Sequence, residues 1–465
     1  SEDMKERFKS ILLIVLVGLN FVLGGKILSD KKLWPSGYNF FITSENKLLQ
    51  LLFPSGGADS TKTHLGAPTE IMVNTGDQTT RFSVNANAEA FDEVFREISK
   101  ILADSFRAEE KSIAKISKSE WNNVLNSRSI YFMYPAEYPA ELLAGFLGTE
   151  HSVLPVRSVC RVAIAASAQN ANVYLEDASD GTLYRIETNQ EAKFFQQTIA
   201  GISVPRDHPI INYSFDLQFD KAFGEQKIVL ASSVPVYSST VSVPSLSAYN
   251  PVAELSEEQL DQLLLAFRMN PGSVRQYTEA NGTQVFVDST GILKLSQKGK
   301  IAYQSTTLEG MSLTSVRSMA AQISAAADFA DRITGICGAE PSLYLSALPE
   351  GDGVLAAFDY CAGGIPVVLG QEEGIHAVSV QLENGALKSY IQFARSYEPG
   401  DHVDVPGYIE TLDQAIAAYA ESMNEVEIRN ISLIYRDDPK EQKIAPDWQV
   451  EVKSVIVDEK QEDAE

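Results

Sequence analysis

Any chemistry in this chain has to come from a few side chains. Ser44 to Lys47 and Ser112 to Lys115 each place a serine three residues before a lysine, the spacing at which an amine can activate a serine nucleophile. Neither has the S-D-N and K-T-G companions of such sites, and chance supplies a match or two in 465 residues. There is no G-x-S-x-G, H-E-x-x-H or phosphate-binding loop. The five histidines, His64, His151, His208, His376 and His402, lack ligand spacing. Asp401-His402-Val403-Asp404 offers three ligating side chains, but before Pro406 the stretch reads as a polar loop. Gly351-Asp352-Gly353, with Ala356 beyond, imitates a dinucleotide loop yet opens a strand, so a hairpin turn is expected. Cys160, Cys337 and Cys361 form no C-x-x-C or zinc pattern. A Cys337–Cys361 bridge is open, and three buried small hydrophobes fit better. No catalytic, cofactor or metal residue is assigned, and a non-enzymatic protein is expected. Tyr131, Phe132, Tyr134, Phe358 and Tyr360 would line a peptide or glycan groove if exposed; at strand spacing they read as core pairs.

The elements that position these residues begin with an apolar run, Ile11 to Gly25, behind Lys5, Arg7 and Lys9. As a helix its fifteen residues span about 22 Å, and Phe8, Ile27 and Leu28 extend it towards a bilayer core of roughly 30 Å. Trp34 and Tyr38 would lie at the far headgroup level. A membrane anchor is expected, with a cleaved secretory signal as the alternative; either exports the remainder. Asn20 is the one strongly polar side chain in the run, and Leu13, Val17, Asn20 and Gly24 are the predicted partner-facing positions. The net charge of −24 lies beyond residue 30, since residues 1–30 balance four basic against four acidic side chains. A body so acidic repels phosphate backbones, which excludes nucleic acid as a partner.

At 44% apolar and 22% charged residues, the chain has a folded composition sized for several domains. Phe91, Val94, Phe95, Ile98, Ile101 and Leu102 make one helical stripe, and Asp180-Gly181 joins two alternating strands. Lys227 to Leu246, Ser-rich with two prolines, predicts an edge strand running into a linker. Ser256 and Gln259 form a capping box for a helix burying Leu260, Leu263, Leu264 and Phe267. Further helices are expected from Thr314, bearing Val316, Met319, Ala320, Ile323 and Ala327, and from Thr411, each followed by antiparallel strands. The fold class is therefore α+β: an N-terminal transmembrane helix plus a multidomain ectodomain of antiparallel sheets covered by helices. The expected order is tip and anchor over 1–33, one α+β unit over 34–150 and a second over 151–246, which can merge into one N-terminal domain. Tandem helix-plus-sheet units then fill 247–456, and 457–465 is an acidic tail.

FRMNPGSVRQY, Phe267 to Tyr277, followed by Val285-Phe286-Val287-Asp288, Gly291 to Leu295 and Tyr303, resembles the central segment of the YycH family. Phe358-Asp359-Tyr360 with Gly364-Ile365-Pro366-Val367-Val368 is similar to that family's strand ending in Gly-Leu-Pro-Val, and Ser119-Glu120-Trp121 with Ser129 to Phe132 matches its N-terminal region. Leu433-Ile434-Tyr435 to Pro446-Asp447-Trp448-Gln449-Val450 resembles a close shared with the companion YycI family. The resemblance implies a single-pass cell-membrane protein with an extracytoplasmic body. Its implied partners are a WalK-type sensor histidine kinase that governs cell-wall metabolism in Gram-positive bacteria and a YycI-like protein. The competing expectations are a membrane-anchored glycan- or peptide-binding receptor and a wall hydrolase with an unfamiliar site.

Overall fold

The computed structural model describes residues 65–454, with breaks at 77–80, 87–88, 150–153, 205–207, 218–226, 232, 340, 371–373, 409–424 and 439–441. The apolar run, the face of Leu13, Val17, Asn20 and Gly24, the helix expected from Thr411 and the acidic tail lie outside the described residues. Among the described residues no helix is long and apolar enough to cross a membrane.

The first sheet uses β1 (Glu70–Asn74), β2 (Arg81–Asn85), β3 (Ile113–Lys115), β4 (Ser129–Pro139), β5 (Ser158–Ala166), β6 (Asn170–Asp177) and β7 (Leu183–Glu191). Its order is β2-β1-β4-β5-β6-β7-β3 with every pair antiparallel, so the units read as 34–150 and 151–246 share one sheet. Side chains alternate across a strand, and the sequence uses both faces. Ile71, Val73, Ile130, Phe132, Val162, Ile164, Val173 and Leu175 point one way, onto the stripe of α1 (Glu89–Ser105) and onto Phe195 and Ile199 of α4 (Ala192–Gly201). Met72, Tyr131, Ala163, Ala165 and Tyr174 point the other way. Trp121, Val124 and Leu125 of α2 (Lys118–Asn126) cover them, with Ile211, Tyr213 and Tyr237 from the paired β8 (Ile211–Tyr213) and β10 (Pro235–Tyr237). Arg81 anchors that pair, donating to Asp216 and stacking 4.6 Å above the Tyr213 ring.

The prediction for Lys227 to Leu246 is corrected. β9 (Lys227–Leu230) is an edge strand, but the Ser-rich part is no linker: β11 (Val241–Tyr249) is the middle of a three-stranded sheet between β22 (Ser396–Val405) and β24 (Lys443–Ile444). Pro244 is tolerated because β24 pairs only with Leu246 and Ser247, and the register with β22 shifts at a bulge just after Pro244. Asp401 to Asp404 is likewise strand, within β22, where the sequence suggested a loop.

The remaining strands form one sheet of 13. In chain order they are β12 (Arg275–Thr278), β13 (Gln284–Val287), β14 (Gly291–Leu295), β15 (Lys300–Ser305), β16 (Met311–Ser312), β17 (Ser342–Ala347), β18 (Val354–Ala362), β19 (Ile365–Leu369), β20 (Val378–Glu383), β21 (Ala386–Phe393), β23 (Glu425–Asp437) and β25 (Pro446–Ser454), joined by β9. The stretches read as tandem units thus hydrogen-bond into one surface. It is not wholly antiparallel, since β23 runs parallel to both β19 and β9. α5 (Glu257–Ala266) begins at the reciprocal Ser256–Gln259 capping box and buries Leu263 and Leu264, with Phe267 stacking on Tyr303 at 4.7 Å. α6 (Met319–Ile336) starts five residues beyond the expected Thr314. Ser318 caps it by accepting from Ala321, whereas the Thr314 hydroxyl accepts from Val316 in a turn that leaves Val316 exposed.

The two large sheets meet along a seam. α3 (Ala140–Phe146) lies so close to α6 that a β-carbon on Gly145 would come within 2.5 Å of the Ala320 methyl. Buried Arg161 pairs with Glu176 at 2.8 Å and donates to the Arg429 carbonyl at 2.8 Å, while Arg429 reaches Glu137 at 3.2 Å.

Candidate functional site

The described residues bring a serine, a histidine and a carboxylate together once, beside that seam. β18 supplies Asp359, the connection before β20 supplies His376, and β17 supplies Ser346. The β17–β18 register passes from Leu345↔Phe358 to Ala347↔Ala357, so Ser346 is the extra residue of a bulge. A bulge re-aims its side chain, and the Ser346 hydroxyl turns to the Ala357 carbonyl at 3.2 Å and to His376 Nδ1 at 3.2 Å. Asp359 accepts from His376 Nδ1 at 2.9 Å through Oδ2 and from the Ala377 amide at 2.7 Å through Oδ1. An ionised carboxylate only accepts, so Nδ1 carries the proton. The hydrogen bond to Asp359 raises the imidazole above its ordinary value; partial burial opposes this and the charge of Asp359 adds to it.

This arrangement does not activate a nucleophile. In a working triad the carboxylate holds one ring nitrogen and the serine faces the other. Here Asp359 and Ser346 crowd the same Nδ1, which is protonated, and the serine has a carbonyl to donate to. Sequence reasoning missed the cluster because its members are far apart in the chain; only the type of each residue was visible.

The other candidates resolve as packing. Tyr131, Phe132, Tyr134, Phe358 and Tyr360 are all buried and line no groove. Cys160, Cys337 and Cys361 are free thiols, and burial pushes Cys337 and Cys361 up to about 12. Ser112 precedes the edge strand β3 and Lys115 ends it; Lys115, with Arg107, Ile113, Pro155 and Tyr184 among others, lines an open cleft of about 640 Å³ that Ser112 does not line. Among the described residues no group of three His, Cys, Asp or Glu side chains could hold a metal ion. Gly353 makes the expected hairpin turn at φ +80°, where a β-carbon would collide with the Leu382 carbonyl.

No family model matches the sequence, and no curated protein matches it. The crystal structure of YycH from Bacillus subtilis superimposes with a TM-score of 0.55 at 13% identity, covering 86% of this chain and 98% of that one. The fold is that of YycH. The match takes in both large sheets together, since one of that extent cannot be confined to either sheet. Within the motifs carrying the resemblance, Phe267 and Tyr303 stack on each other, Phe358 and Tyr360 lie in the core, and Asp359 is the carboxylate that holds His376.

Proposed function

We propose that the chain is a non-enzymatic extracytoplasmic regulator, held at the cell membrane by one N-terminal helix, that modulates a cell-wall-controlling sensor histidine kinase of the WalK type. It acts through transmembrane-helix and ectodomain contacts, with a YycI-like protein as companion. The observation that carries this reading is the likeness of fold to YycH over 86% of the chain. The geometry at His376 supports it, since the one serine–histidine–carboxylate cluster found among the described residues is wired against nucleophilic catalysis. The burial of the five candidate groove aromatics weighs against a glycan or peptide receptor. The membrane contact rests on the apolar run Ile11 to Gly25.

Two measurements test it. Photo-crosslinking from positions along Ile11 to Gly25 in native membranes, with mass-spectrometric identification of the adducts, is expected to recover a sensor histidine kinase; recovery of lipid alone would sink the partner assignment. Protease added to intact protoplasts is expected to digest the body, and full protection would overturn the topology.

A further inference from the structure

The geometry points to a proton-operated joint: His376, when protonated, tightens the Ser346 bulge and through it the contact of Leu345 with Tyr138 of the first sheet, and when neutral it loosens both. This concerns the described residues alone and does not depend on the kinase assignment.

The connection is short and continuous. Tyr138, near the end of β4, donates its hydroxyl to the carbonyl of Leu345 on β17. The next residue is Ser346, which sits against His376 Nδ1. A bulge lacks part of its ladder bonding and is a soft point in a sheet. The imidazole and Asp359 supply what the ladder lacks, tying β17, β18 and the start of β20 through Ser346, Asp359 and Ala377. Nδ1 keeps its proton in both states, so the added proton sits on Nε2 and gives the ring a full positive charge 2.9 Å from the Asp359 carboxylate; that attraction strengthens the tie, and losing the proton weakens it. His376 is 21% exposed and Asp359 13%, so the pair is shielded yet open to proton exchange with solvent.

The surrounding titratable groups leave His376 as the switch. Tyr344 on β17, Tyr138 on β4 and Cys361 on β18 are all pushed up by burial, Cys361 to about 12, and stay protonated through neutral pH. Glu451 on β25, exposed as a residue but with a desolvated carboxyl, is raised by burial and pulled back by Asn430, Arg161 and Arg429. Glu372 and Glu373, in the same connection as His376, lie outside the described residues. Because the folded value of His376 is raised above 6.5, its contribution is fully present below about pH 6.5 and is lost as pH rises through the folded value.

The test is a pH titration of the full chain followed by NMR, reading the histidine ring signals and the methyls of Leu345 together. The His376 ring is expected to titrate above 6.5, with the Leu345 methyls shifting at the same midpoint. In His376→Gln the Leu345 shift should vanish. In Ser346→Ala the ring should still titrate while Leu345 no longer follows it, and Glu451→Gln should leave both responses in place. Leu345 methyls that stay flat across the wild-type titration, or that still shift in His376→Gln, would overturn the joint.

Discussion

Arg395 grips Asp437 with two parallel hydrogen bonds, Nε to Oδ2 at 2.8 Å and Nη2 to Oδ1 at 2.7 Å. Asp437 is the last residue of β23 and has no solvent exposure; Tyr397 adds a third bond to its Oδ2 at 2.9 Å. Since Arg395 and Tyr397 flank the start of β22, the pair clamps the three-stranded sheet onto the large one.

Cutting that clamp by removing the fully buried Asp437 leaves the partly buried Arg395 guanidinium and the Tyr397 hydroxyl without their partner. Asp437→Ala is expected to lower stability by about 3 to 5 kcal/mol, and Arg395→Lys, which keeps the charge but loses the planar fork, by about 1 kcal/mol. Urea denaturation measures both. A wild-type midpoint for Asp437→Ala would show the carboxylate to be dispensable.

Trp448 is structural. It pairs with Leu433, packs on Tyr237 at 5.2 Å and Tyr408 at 6.0 Å, and donates its indole N–H to the Pro406 carbonyl at 3.0 Å. Trp448→Ala is expected to lower the melting temperature, at a loss of about 3 kcal/mol because the ring is only partly buried. Trp448→Phe retains most of the packing and should cost about 1 kcal/mol for the lost hydrogen bond. An unchanged melt for the alanine variant would show that the ring contributes nothing to packing.

Ser346 should not behave as a nucleophile, because the nitrogen it faces already carries the proton given to Asp359. Incubation with a fluorophosphonate probe is expected to leave the protein unlabelled. Labelling that disappears in Ser346→Ala would contradict the non-enzymatic reading.

In a helical apolar run the four-residue spacing would place Asn20 and Gly24 on one face, where an amide can bond across to another helix and a glycine allows close approach. Asn20→Leu is expected to stay in the membrane fraction while partner association weakens, by about 0.6 to 2 kcal/mol. Crosslinking yield reports it, with Phe21→Leu on another face as the control. Equal losses in the two variants would remove the case for a specific face.

Local chemistry was legible from the sequence wherever a few neighbouring residues settle the outcome. The Ser256–Gln259 box starts α5 because both bonds span one turn. The stripe from Phe91 to Leu102 packs because its period is helical, and the turn at Gly353 follows from a backbone angle that glycine tolerates. The alternation in β6 and β7, on either side of Asp180-Gly181, marked strands, although it could not say that both faces would be covered. Tertiary structure decided which strand lies beside which. β11 is central to a small sheet, and β23 accepts two parallel neighbours, because pairing between distant strands depends on packing and edge availability that local periodicity does not record. The same holds for α6, where Ser318 and Thr314 are both cap-forming types, and the structure ties the Leu313 and Thr314 amides to the Gly385 carbonyl while Ser318 caps the helix. It holds most of all for His376, Asp359 and Ser346, which meet only because a bulge between two paired strands points a serine at a ring carried by a third connection.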